Sequence, residues 1–146
     1  MKNLLYILIL SFFLSCSSNK PQPIKYGSED CSGCKMTIVD EKFGAELITV
    51  KGKVYKFDDV SCMILFLKNE NITDADINQK LVIDYSVKNK FIDVTRATYY
   101  VGEDVHSPMN GNAAAFANKQ DAINFQNGKQ GFIMEWSEVY NKLLKK

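Results

Sequence analysis

Only one of the 146 residues is a histidine, and that scarcity excludes several kinds of chemistry. A blue-copper centre needs two imidazoles, so His106 alone cannot build one. No Ser/His/Asp arrangement, phosphate-binding loop or zinc-protease motif can be assembled from the residue types in order. An excess of charge of either sign is also missing. Eighteen Lys and Arg face seventeen Asp and Glu, which favours neither nucleic acid nor an anionic membrane surface as partner. A long apolar run is absent too: Leu4 to Leu14 is too short to span a bilayer.

That short run has another use. Lys2 followed by Leu4 to Leu14 reads as an export signal, and its end, Phe13-Leu14-Ser15-Cys16, resembles a bacterial lipobox, in which the signal is cut before a lipid-bearing cysteine. The expected division is therefore a signal peptide over 1–15, a lipidated tether over 16–28 and one domain over 29–146. Acyl chains on Cys16 would hold the protein on the membrane without a spanning helix. The alternative is a secretory signal followed by a free Cys16.

Three cysteines remain, Cys31, Cys34 and Cys62, an odd number for a compartment that oxidises thiols. Cys31-Ser32-Gly33-Cys34 is followed by Lys35, so a c-type haem site, which needs histidine there, is excluded. Thr37-Ile38-Val39 disfavours the helix that a thioredoxin-like dithiol starts. Structural zinc would want a second ligand pair, which could come only from Cys62 and His106.

A disulfide between Cys31 and Cys34 stays open, beside a copper site. Met36 favours copper, because in an extended segment Cys34 and Met36 project to one side, and thiolate with thioether suits Cu(I). The plain alternative is a core methionine. His106 to Gly111 is a turn-rich segment that offers His106 and Met109 as further donors, with a solvent-facing histidine as the alternative. Cys62, inside an apolar helix, reads as a small buried hydrophobe, and Asp58-Asp59 reads as a helix cap.

The pattern of apolar residues predicts strands over 36–40, 45–50, 53–57, 81–85, 91–95, 97–101, 113–117 and 132–135. Helices are predicted over 59–69, 121–127 and 137–144. The expected fold is α+β, with two small ββαβ-like units, 29–95 and 96–146, sharing a core.

With these residues together, the chain from Cys16 to Val139 resembles the NosL family, copper-binding lipoproteins that serve assembly of nitrous oxide reductase. The resemblance is carried by the lipobox, Cys31-x2-Cys34-x-Met36, Phe57-Asp58-Asp59, Ala97 to Val101, and Met109-Asn110-Gly111 to Phe116. It implies a non-enzymatic chaperone on the periplasmic side of a bacterial membrane, delivering Cu(I) to nitrous oxide reductase or its membrane assembly complex. Cys34 and Met36 would bind the metal with Met109 or His106 from the second unit, and Cys31 would be a ligand or hold the loop. The competing expectations are a thiol-disulfide oxidoreductase using Cys31 and Cys34, and a structural lipoprotein with an inert disulfide.

Overall fold

The computed structural model describes residues 19–145, so the expected signal and Cys16 lie outside the described residues. Strand β1, Ala45–Thr49, pairs antiparallel with β2, Val54–Phe57. The turn between them is longer than the two residues expected. The Thr49 N–H donates to Lys53 O at 2.9 Å, and Gly52, at φ 77°, takes the left-handed position that closes a three-residue hairpin loop.

Helix α1, Val60–Asn69, follows at once. The Asp59 side chain accepts the Cys62 N–H, and Lys68 stands in the last turn, so both ends match the helix dipole and its orphan backbone groups. A single 3-10 turn, Asp74–Asp76, leads into β3, Ile77–Ile83, which pairs with β1 and with β4, Phe91–Asp93. Strand β3 starts four residues before the expected Leu81. Asn78, Gln79 and Lys80 hide it from an apolar pattern, yet pairing opposite Leu47 to Thr49 extends it.

The second unit repeats this order. Strands β5, Thr98–Val101, and β6, Ala113–Phe116, form an antiparallel pair, and helix α2, Lys119–Gln126, leads to β7, Phe132–Met134. The sheets run β2-β1-β3-β4 and β6-β5-β7. In each, the first strand of the unit is central, flanked by its hairpin partner and by the strand after the helix. The faint repeat in the sequence is thus a repeat of topology, and the α+β expectation holds. Helix α3, Trp136–Leu144, closes the chain against α1.

Both units contribute to one core. Leu47, Phe57 and Met63 from the first pack in the same buried cluster as Tyr99, Val139 and Leu143 from the second. Burying such side chains stabilises by roughly 1.5–3 kcal/mol each, before the entropy of ordering them is counted. Among the described residues, no helix is long and apolar enough to cross a membrane.

Two stretches depart from their expected form. Residues 36–40 are not a strand: Thr37 makes only an isolated bridge to Asp30. Lys35 sits at φ 67°, which breaks the extended alternation just before it could begin. Residues 22–28, expected within the tether, are held on the first sheet. Ile24 is buried, the Gln22 N–H donates to the Glu46 carboxylate at 3.0 Å, and Lys56 Nζ donates to Pro23 O at 2.8 Å. Gly44 makes room for Ile24, since a Cβ there would stand 2.6 Å from Ile24 Cδ1. Burial raises the pKa of the Glu46 carboxyl, and the Gln22 N–H partly offsets that rise.

Candidate metal centre

The loop that carries Cys31 and Cys34 is closed on itself. The Cys31 N–H donates to Met36 O at 2.8 Å, the Lys35 N–H to Cys31 O at 3.0 Å, and the Ile38 N–H to Glu29 O at 2.8 Å. It is also fixed to β2, where the Ser32 N–H donates to Lys56 O at 2.7 Å and the Lys56 N–H to Ser32 Oγ at 3.2 Å. Gly33 allows this loop to lie on α1, because a Cβ there would stand 3.2 Å from Cys62 O.

The first turn of α1 therefore meets the loop. Cys31, Cys34, Cys62 and Asp58 each offer a ligand atom, and these four atoms lie within 4.8 Å of one another. Cys31, Cys62 and Asp58 are buried, and Cys34 is half-buried. All three cysteines are free thiols. Cys34 Sγ donates to Asp58 Oδ2 at 3.5 Å, while Asp58 Oδ1 is buried with no hydrogen-bond partner. A buried carboxylate oxygen without a partner is costly, and a cation is one thing that would satisfy it.

The three thiols differ in how readily they ionise. Cys31 is pulled down to about 6, first by the thiol of Cys62 and then, against the opposing effect of burial, by backbone N–H groups of Asp58, Cys34 and Gly33. The pKa of Cys62 is raised by that same contact with Cys31, by burial and by Asp58. Cys34 is pushed up to about 11, chiefly by burial and then by the sulfur of Cys31 and the charge of Asp58, although the Met36 N–H opposes this. Cys31 is thus the thiol that ionises most readily in the cluster, and binding a cation through the other two requires them to release their protons.

A second segment approaches from the other unit. The Asp59 carboxylate accepts from Ser107 Oγ at 2.8 Å and from the Met109 N–H at 3.1 Å, while its other oxygen caps α1. Met109 is partly buried and packs on the core cluster that contains Cys31 and Cys62.

The expected donors are therefore placed unequally. Cys31 and Cys34 come together, but Met36 is 50% exposed, and because Lys35 is left-handed, strand alternation does not align Met36 with Cys34. Met109 is held beside the start of α1 by its backbone. His106 is exposed. Sequence reasoning missed Cys62 and Asp58 as partners of the loop thiols. Cys62 is buried in an apolar helix as expected, yet it lies in the first turn, where the Cys31 loop covers it. The capping role read for Asp58-Asp59 belongs to Asp59 alone.

No curated protein matches the chain. The fold matches the crystal structure of the copper chaperone NosL from Shewanella denitrificans with a TM-score of 0.70 and 24% identity, covering 82% of this chain and 95% of that one. A family model described as NosL matches residues 23–144, which takes in both sheets, the thiol cluster and the Met109 loop. This chain belongs to the NosL family.

Proposed function

We propose that the protein is a copper carrier: it holds Cu(I) among the sulfurs around Cys31, Cys34 and Cys62 and passes it on, without catalysing a reaction. The observation that carries this reading is the convergence of three free thiols from two chain segments within 4.8 Å. Soft thiolates are the donors that Cu(I) prefers, and it accepts low coordination numbers. Cys34 is half-buried, Met36 is 50% exposed, and the second unit brings the Met109 backbone to the start of α1. Donors at an exposed edge allow an acceptor's ligands to replace them one at a time.

The recipient is nitrous oxide reductase or its membrane assembly complex, in keeping with the chain's resemblance to a family that serves assembly of that enzyme. The protein works from the periplasmic face of the membrane, held by lipid on Cys16. An oxidoreductase role for Cys31 and Cys34 is less well supported, because their loop is a closed turn and does not open a helix.

Asp58 makes the donor set three sulfurs and one oxygen, a combination that also fits tetrahedral Zn(II). The deciding experiment is therefore a competition. Reduced protein lacking residues 1–16 is titrated with Cu(I) against a Cu(I) chelator, in the absence and presence of Zn(II). Copper binding that persists against zinc supports the carrier reading. Zinc binding with no Cu(I) binding overturns it.

A further inference from the structure

Asp59 is 1% exposed and divides its two oxygens between the two units. Oδ1 accepts the Cys62 N–H at 3.0 Å, which fixes the first turn of α1 and with it one thiol of the cluster. Oδ2 accepts from Ser107 Oγ at 2.8 Å and from the Met109 N–H at 3.1 Å. Ser107 is itself 5% exposed, and its Oγ accepts the Asn112 N–H at 2.9 Å, so the hydroxyl also gathers the far end of the loop.

Two other buried polar atoms at this junction, on Ser61 and Asn112, do not share the task. Ser61 Oγ and Asn112 Oδ1 are buried and make no hydrogen bond. Gly111 lies directly over Ser61, where a Cβ would stand 2.0 Å from Ser61 Oγ, so the loop and helix touch without a bond at that point. Asp59 thus ties the Met109 loop to α1 through two hydrogen bonds that one carboxylate oxygen accepts.

We infer that Asp59 is a positioning residue for metal binding: it latches the loop bearing Met109 to the helix bearing Cys62, so that donors from both units face one cation. This rests on the Cu(I)-carrier reading above and adds to it the group that sets the geometry. Asp59 does not touch the metal. Its part is to hold two otherwise separate segments at a fixed distance, as outer-shell partners do for the ligands they orient.

Asp59→Asn tests this with little change in volume. The amide oxygen still caps α1, since Asn and Asp serve equally as caps. The amide nitrogen then faces Ser107, which can accept from it, and the Met109 N–H, which cannot. Two readouts follow. In the metal-free protein, amide hydrogen exchange at Met109 should quicken while Cys62 keeps its protection. In Cu(I) competition titrations, affinity should fall by about tenfold, the lower end of the loss seen when outer-shell groups are removed. The same substitution made on a Met109→Leu background should cause no further loss, because the donor that the latch positions is already gone.

Unchanged exchange at Met109, unchanged copper affinity, or an equal loss with and without Met109 would each overturn the inference. Should Asp59→Asn fail to fold, Ser107→Ala removes one arm of the latch and leaves the helix cap, and it must shift both readouts in the same direction. If the unaltered protein binds no Cu(I), the carrier reading itself fails, an outcome distinct from normal copper binding that ignores the latch.

Discussion

Asp58 and Asp59 are adjacent in the chain and serve different partners: Asp58 Oδ2 accepts from Cys34 Sγ at 3.5 Å, and Asp59 Oδ2 accepts from Ser107 Oγ at 2.8 Å. The first carboxylate belongs to the thiol cluster and the second to the junction between units. Different predictions follow for the residues on either side.

Cys62→Ser should lower Cu(I) affinity by at least about tenfold while the protein still folds. Cys62 Sγ is part of the cluster, and serine is a poor ligand for a soft cation. Copper stoichiometry and chelator competition, with circular dichroism for the fold, check this. Full affinity in a folded Cys62→Ser protein would return Cys62 to the role of a packing residue.

Met109→Leu should reduce Cu(I) affinity and leave stability nearly unaltered. Leucine keeps the volume and apolar character, a swap that costs under about 1.5 kcal/mol even in a core. Met36→Leu, at a half-exposed position, should leave stability unaltered as well. Comparing the two affinities, with His106→Ala beside them, shows which side of the cluster supplies the outer donor. No change for Met109→Leu and His106→Ala would confine the site to the first unit.

The Cys31 thiol, pulled down to about 6 from an ordinary 9.0, makes stability depend on pH. Its folded-state value lies below its unfolded one, so its contribution is complete above about pH 9 and fades as pH falls through about 6. In reduced, metal-free protein, the ultraviolet absorbance of thiolate should show one titration near pH 6. The stability gap between the unaltered protein and Cys31→Ser should narrow across the same range. A gap independent of pH would mean that Cys31 is not the ionised member.

Gly111→Ala should destabilise by about 1–3 kcal/mol, the usual cost of forcing an extra carbon into a packed site. The new Cβ would meet Ser61 Oγ at 2.0 Å, and Ser61 is buried. Adding Ser61→Ala should recover part of the loss, since the contacts that remain, to Ser61 Cβ and Asp59 Oδ2, are 3.2 and 3.5 Å. Chemical denaturation of the single and double variants measures both effects.

Much of the fold was legible because local signals agreed with the tertiary arrangement. Asp59 before an apolar run marked α1, and the strand patterns over 45–50 and 53–57 marked the first hairpin. Strand β3 was read short because its first half carries Asn78, Gln79 and Lys80, and only pairing with β1 makes that segment a strand. The stretch 36–40 was read as a strand because β-branched residues favour one, but the closed turn at Lys35 overrides that preference.

By itself the sequence determined that soft sulfur donors would be concentrated in one short segment, because it supplies Cys31, Cys34 and Met36 within six residues and a single histidine. It also determined that α1 would begin at Asp59, since capping and dipole effects act within one turn. Only the tertiary structure decided that Cys62 and Asp58 would join the loop thiols, and that Asp59 would reach Ser107 and Met109, forty-eight and fifty residues away. Spacing fixes which side chains share a face only within one regular element. Contacts between elements follow from how two sheets and their helices bury a common core, and that depends on the whole chain at once.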